Sequence, residues 1–164
     1  MVAAMIALAI AGGMEPLPAD PVQRIATKAL AGHFGALEPW QREGYQALLN
    51  GHKRLRAYRT HYGPYEGRQG RVDARGRPCT MRTLAANRLK RGTWVLLLDE
   101  PELRQVLDSG ARSNDARFAD RHRCDLWVDR WHPDPRLRNV AAVVGIAVAR
   151  RESNDRLCRG GTDG

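Results

Sequence analysis

The run TWVLLL at residues 93–98 is a short apolar segment bounded by turn residues, which is typical of a buried β-strand. Further runs of this kind follow along the chain: RQVL at 104–107, CDLWV at 124–128 and VVGIAVA at 143–149. Another strand is predicted to open with Leu55, Ala57 and Tyr58, and glycines punctuate the segments between the runs. The pattern therefore predicts a small β-barrel rather than a sandwich of long strands or an α/β fold.

Upstream of the strands, apolar residues recur at spacings of three and four, which is the period of an amphipathic helix. The start signals predict a first helix from Asp20 or Pro21 and a second over residues 38–49. We expect residues 20–53 to form a helical hairpin that packs ahead of a barrel at 54–150.

The two ends of the chain differ in composition from the middle. Residues 1–13 are apolar throughout, which matches the length of a secretory h-region, although no Lys or Arg precedes them. Export is the favoured interpretation, with residues 1–19 as export segment and linker, and an apolar first helix is the alternative. The expected location is the periplasm, the cell envelope or the outside, without a stable transmembrane anchor. The polar residues 151–164 are expected to be a disordered tail.

The charge balance favours an anionic partner. The 164 residues include 27 Lys+Arg and 18 Asp+Glu, which gives a formal net charge of +9. Nucleic acid and anionic cell-wall polymer both suit such a surface, and a compositional bias towards Arg, Ala and Gly explains it equally well. Because no zinc-finger, RNA-recognition or helix-turn-helix signature is present, we expect no specific nucleic-acid partner. The length fits one domain, which we expect to be a monomer.

Three cysteines allow one disulfide bond and leave one thiol over. In an exported protein Cys79 and Cys124 are the candidate pair, since both lie in the predicted barrel while Cys158 lies in the tail. Such a bond would stabilise the fold by about 3–4 kcal/mol in the chain-entropy estimate. A zinc site that combines His122 with these two cysteines is the weaker alternative, because no CxxC or HExxH spacing supports it. No metal or other cofactor is predicted.

Acidic residues concentrate between positions 99 and 134. Asp108 ends a predicted strand, and Asp125, Trp127 and Asp129 alternate along another, so that the last three are predicted to share one face. A carboxyl group that is desolvated against an aromatic ring and close to another carboxylate has a raised pKa, and can donate a proton to a glycosidic oxygen. Spacing alone nevertheless favours ordinary ion pairs with arginines or capping of turns.

Five segments occur in a particular order: AYRTHYG at 57–63, TLAANRLKRGTWVLL at 83–97, VLDSGA at 106–111, CDLWVD at 124–129 and NVAAVVGIAVAR at 139–150. The series resembles the three-aspartate (3D) domain, a double-psi β-barrel of lytic transglycosylase A-like enzymes and of muralytic proteins related to resuscitation-promoting factors. The resemblance covers about residues 55–150. It implies a small six-stranded double-psi β-barrel, here preceded by the helical hairpin.

The resemblance also implies a function, and it reverses the interpretation from spacing alone. It implies cleavage of peptidoglycan glycan strands by a lytic transglycosylase mechanism that needs neither metal nor nucleotide. Asp125 would be the acid/base, Asp108 the supporting carboxylate and Asp129 the third member of the set. The segment 109–124 is longer and more polar than the corresponding family turn. A non-catalytic barrel that binds cell-wall polysaccharide is therefore the alternative.

Four further residues are expected to contact substrate. Tyr58 and Trp127 are the candidate aromatic contacts to a sugar, although packing of Trp127 in the core is equally compatible with the sequence. Arg112 and Arg123 are candidates for binding the carboxylates of peptidoglycan peptides, and solvation at the surface is the alternative for both.

Overall fold

The computed structural model describes residues 20–150, so the predicted export segment and the predicted tail lie outside the described residues. Two helices precede six strands. In chain order the elements are α1 Pro21–Leu30, α2 Pro39–Asn50, β1 His52–Tyr62, β2 Thr83–Ala85, β3 Trp94–Leu97, β4 Glu102–Asp108, β5 Leu126–Trp131 and β6 Ala142–Ala149. The strands form a closed barrel. The predicted fold class, a mainly β protein with a six-stranded barrel after a helical hairpin, is confirmed.

The strand order around the barrel is β1-β5-β2-β4-β3-β6. Two neighbouring pairs are parallel, β1 with β5 and β2 with β4, and the other four are antiparallel. If β1, β2 and β3 are exchanged with β4, β5 and β6, respectively, the same strands remain neighbours and each pair remains parallel or antiparallel as before. The topology therefore contains a two-fold repeat in which sequence-distant strands lie side by side.

Alternate residues of each strand point into the barrel, and one end of the interior is apolar. This core consists of Ala57, Leu84, Ala86, Val95, Leu97, Val106, Leu126, Val128, Val144, Ile146 and Val148. Side chains alternate along each strand between the inside and the outside, and these apolar ones fill the barrel.

The other end of the interior is charged. Arg59, Arg104 and Arg130 lie two residues from a core residue on the same face of their strands and are each at most 5% exposed. Arg59 pairs with Asp99 at 2.8 Å, while Arg104 and Arg130 pair with Glu102, which opens β4. Each buried guanidinium thus meets a carboxylate from the segment that joins β3 to β4 or begins β4. Such pairing is required, because an uncompensated buried charge is strongly destabilising.

The helical hairpin covers the outer surface of β3, β4 and β6. The Asp20 carboxylate caps α1 by accepting a hydrogen bond from Val22 N at 2.9 Å, and it also contacts His52 Nε2 at 2.7 Å. On α2, the Trp40 ring stacks on Trp94 of β3 at 6.2 Å. The hairpin therefore closes this side of the barrel with apolar contacts, whereas residues of the loop segments, including Cys79, Ala119 and Cys124, pack on the outer surface of β1, β2 and β5. Within the described residues, no helix combines the length and apolarity needed to cross a membrane.

Candidate functional site

A groove of about 770 Å³ lies on the outer surface of the barrel where β1, β2, β4 and β5 meet. Its floor includes Tyr62, Ala85, Asp108, Trp127 and Asp129. The parallel pairing of β1 with β5 and of β2 with β4 brings these residues together from four strands. Loop residues on either side, from the segments 66–76 and 109–114, complete its walls.

Asp129 is the groove residue with the most altered ionisation. Burial of the carboxyl group, together with the negative charges of Glu66 and Asp108, raises its pKa from 3.8 to about 7, against an opposing hydrogen bond from Thr60. Loss of hydration disfavours the charged form, and nearby carboxylates disfavour it further. Near neutral pH a large share of Asp129 is therefore protonated and able to donate a proton.

A chain of hydrogen bonds fixes the orientation of this carboxyl group. Trp127 Nε1 donates to Thr60 Oγ1 at 2.9 Å, and the Thr60 hydroxyl donates to Asp129 Oδ1 at 2.8 Å. An indole N–H can only donate, so Thr60 Oγ1 accepts from Trp127, and the Thr60 hydroxyl proton is directed at Asp129 Oδ1. Oδ1 is thus an acceptor, and the proton of the acid form lies on Oδ2.

Asp108 is held differently. Its Oδ1 accepts a hydrogen bond from Ser109 N at 2.9 Å, and its Oδ2 accepts one from the Tyr62 hydroxyl at 3.0 Å. Burial, the Asp108 charge and Cys79 raise the pKa of Tyr62 well above its ordinary value, so that the phenol remains a neutral donor. Two donors thus fix the orientation of the Asp108 carboxyl group within the same groove as Asp129.

Asp125 does not line the groove. It precedes β5 and is exposed, and its carboxylate Oδ2 accepts a hydrogen bond from Arg56 N at 2.7 Å. Its own N–H donates to the Arg56 carbonyl oxygen at 2.8 Å, so the residue is paired to β1 through main chain and side chain. The structure brings together Asp108 and Asp129 but leaves Asp125 outside, and the pKa of Asp129 is raised towards neutrality.

The predicted aromatic contacts have structural roles. Trp127 is only 1% exposed, and a Cβ atom placed on Gly110 would lie 2.3 Å from its ring, so the indole packs beneath the groove. Core packing, the alternative for this residue, is what the structure has. Tyr58 stacks on Phe118 at 5.6 Å and on His122 at 4.2 Å, and it does not line the groove.

The two predicted arginine contacts separate. Arg123 is exposed, has a positive φ of 54° and does not line the groove. Arg112 lines an adjoining recess of about 570 Å³, together with Arg75 and Arg91. The groove and this recess share Asp108, Ser109 and Gly110.

The predicted disulfide bond is absent, since Cys79 and Cys124 are both free and buried. The two thiols face different partners. Cys79 Sγ lies 4.0 Å from the Tyr62 hydroxyl, and Cys124 Sγ lies 3.6 Å from the His122 carbonyl oxygen. Burial is the leading cause that raises the pKa of each thiol, that of Cys79 to about 11, so neither is an activated nucleophile.

Among residues 20–150, no group of three or more His, Cys, Asp or Glu side chains is placed to hold a metal ion.

Two residues that influence the ionisation of Asp129, Thr60 and Glu66, were not predicted. Only the parallel register, which sets Thr60 opposite Asp129, shows that this threonine belongs to the site.

The chain matches no protein-family model, and no curated protein is significantly similar to it.

Proposed function

We propose that the protein cleaves peptidoglycan glycan strands by acid/base catalysis, with Asp129 as the catalytic residue. The supporting observation is a carboxyl group in a surface groove whose pKa is raised to about 7 by burial and by the nearby carboxylates of Glu66 and Asp108. General acids work best when their pKa lies near the working pH. The resemblance of the strand segments to the 3D domain supports a glycan as substrate.

The reaction is of the lytic transglycosylase type. Asp129 gives its Oδ2 proton to the glycosidic oxygen as the bond from the anomeric carbon of N-acetylmuramic acid breaks, which releases N-acetylglucosamine as an alcohol. The muramyl 6-hydroxyl then attacks the anomeric carbon, and its proton passes to the Asp129 carboxylate. The product is a 1,6-anhydro sugar, and the acid is regenerated without water or cofactor.

Asp108 supports this step without exchanging a proton. Its charge opposes ionisation of Asp129 before the reaction, and it stabilises the positive charge that develops at the anomeric carbon. The Tyr62 and Ser109 donors keep this carboxylate oriented.

The test uses the full chain and purified peptidoglycan sacculi, with soluble products identified by mass spectrometry. We expect anhydro-muropeptides from the wild type, and a rate that falls as pH rises through about 7, because Asp129 then loses its proton. Asp129→Asn should lower the rate about 10²–10⁴-fold. Asp125→Asn is the matched control, since it makes the same chemical change outside the groove, and it should retain activity.

Three results would overturn the proposal: no anhydro product from the wild type, undiminished release by Asp129→Asn, or a selective loss in Asp125→Asn. Retention of the wild type on sacculi without product would instead support a non-catalytic wall-binding barrel. The net charge of +9 favours such retention on an anionic polymer.

A further inference from the structure

The recess beside the groove differs from the groove in charge. Four acidic residues and one arginine line the groove, whereas three arginines and one acidic residue line the recess: Glu66, Asp73, Asp108, Asp129 and Arg68 in the groove, and Arg75, Arg91, Arg112 and Asp108 in the recess. Asp108 is the acidic residue that the two spaces share. A ligand that extends from one space into the other therefore passes from an acidic to a basic environment.

Hydrogen bonds fix the loop that carries Arg75. Asp73 Oδ1 accepts hydrogen bonds from the Arg75 and Arg77 main-chain N–H groups at 2.8 and 3.0 Å. Asp73 also pairs with the Arg77 guanidinium at 2.8 Å, and its own side chain is only 2% exposed. The main chain at Arg75 is thus held in place while its side chain is exposed at the recess.

The loop that carries Arg112 is held from β2. Asn87 Oδ1 accepts a hydrogen bond from Gly110 N, and Asn87 Nδ2 donates to the Ala111 carbonyl oxygen, both at 3.1 Å. These bonds fix the two residues before Arg112. The arginines therefore project from positioned main chain, which lowers the entropic cost of binding a ligand.

We propose that this recess binds a carboxylate carried by the glycan strand beside the bond that is cleaved. The inference rests on the proposed function and adds the position at which the acidic substituent of the substrate is held. Guanidinium groups such as those of Arg75 and Arg112 bind carboxylates through paired hydrogen bonds, whereas a neutral sugar gains little from them. Because the recess adjoins Asp108 and the groove, the substituent lies on a sugar close to the bond that is cleaved.

The test measures binding to the full-length Asp129→Asn variant, so that turnover does not interfere. The probes are a soluble N-acetylglucosamine–N-acetylmuramic acid disaccharide peptide with free carboxylates, the same fragment with every carboxylate amidated, and a neutral N-acetylglucosamine oligomer. We expect the free-carboxylate fragment to bind about tenfold more tightly than the other two, and its affinity to fall with added salt.

Substitutions identify the residues responsible. Arg75→Gln and Arg112→Gln should each weaken binding of the free-carboxylate fragment about fivefold to tenfold, without changing the affinity for the amidated one. Arg24→Gln on α1 is the matched control: it removes one exposed positive charge on the hairpin side and should change neither affinity.

Equal affinity for the free and amidated fragments, or an equal effect from Arg24→Gln, would overturn this inference. That failure is distinguishable from failure of the proposed function. Cleavage of sacculi at a rate unchanged by Arg75→Gln and Arg112→Gln would refute the recess alone. Charge-dependent binding without any cleavage by the wild type would refute the catalytic proposal alone.

Discussion

Trp94 and Trp127 lie on the outer surface of the same barrel and are packed in the same way. Each indole is nearly buried, and each lies against a glycine whose missing side chain makes room for it. A Cβ atom on Gly44 would come within 2.8 Å of the Trp94 ring, and one on Gly110 within 2.3 Å of the Trp127 ring. Above Trp94 lies the helical hairpin, whereas above Trp127 lies the open groove.

The two sides differ in what each indole connects to. Around Trp94 the neighbours are apolar, including Leu96, Leu103 and Leu48 of α2, so burial on this side stabilises the fold. Trp127 also packs against apolar residues, including Ala119 and Phe118, but its N–H leads through Thr60 to Asp129. On the groove side, the buried Asp129 carboxyl group lowers the stability of the folded protein, and its pKa is raised to about 7.

The largest expected effect concerns the stability of this acid. The folded-state pKa of Asp129 is raised from 3.8 to about 7, so the folded protein loses stability as pH rises between these values. Asp129→Asn removes that loss and should stabilise the protein at pH 8 by a few kcal/mol, at most about 4, with little gain near pH 4. Urea denaturation at the two pH values measures the difference.

Asp125→Asn is the control for this prediction, because Asp125 is exposed and outside the groove. It should give no comparable gain at pH 8. A gain in stability that is independent of pH would show that the pKa of Asp129 is the same in the folded and unfolded states, and Asp129 would then be ionised near neutral pH and could not be the proposed proton donor.

The two glycines provide the next comparison. Gly44→Ala and Gly110→Ala each force a methyl group against an indole ring, and each should lower the free energy of unfolding by about 1–3 kcal/mol. Only Gly110→Ala should also reduce glycan cleavage, since a displaced Trp127 or a displaced 109–111 segment changes the groove. Denaturation curves and sacculus assays on both variants measure the two effects.

Gly44→Ala is therefore the internal control for a general loss of stability. If it reduced cleavage as much as Gly110→Ala at a temperature where both variants are folded, the distinction between the two sides of the barrel would be refuted.

The fold could be predicted from the sequence because most of its strands carry a local signal. The apolar runs at 93–98 and 143–149 contain β3 and β6 almost unchanged. By contrast, β2 spans only Thr83–Ala85, and three residues cannot display a periodicity. Its place between β5 and β4 depends on pairing with distant strands, which a local pattern does not contain.

The site was predicted in part, for the same physical reason. Asp108 and Asp129 could be selected because both belong to strand patterns that the sequence displays. The period of two extended the strand to Asp125, but β5 begins at Leu126, and the Asp125 carboxylate binds the main chain of Arg56. Neither that contact nor the Thr60 bond can be derived without the parallel register of β1 and β5.

The smallest expected effect is a change in the pKa of Asp129 when Trp127 is replaced, with the replacement of Trp94 as the comparison. Trp127→Phe removes the donor to Thr60 Oγ1, whose hydroxyl then becomes a weaker donor to Asp129, because hydrogen bonds in a chain polarise one another. The pKa of Asp129 should rise by a few tenths of a pH unit, which NMR of its carboxyl carbon would detect independently of activity. Trp94→Phe has a similar loss of volume under the hairpin and should leave that titration unchanged, although both variants lose stability. If Asp129 had the same pKa in the two variants, the hydrogen bond from Trp127 would hold the indole in place without influencing the carboxyl group. The raised pKa of Asp129 would then result from burial and the neighbouring carboxylates alone.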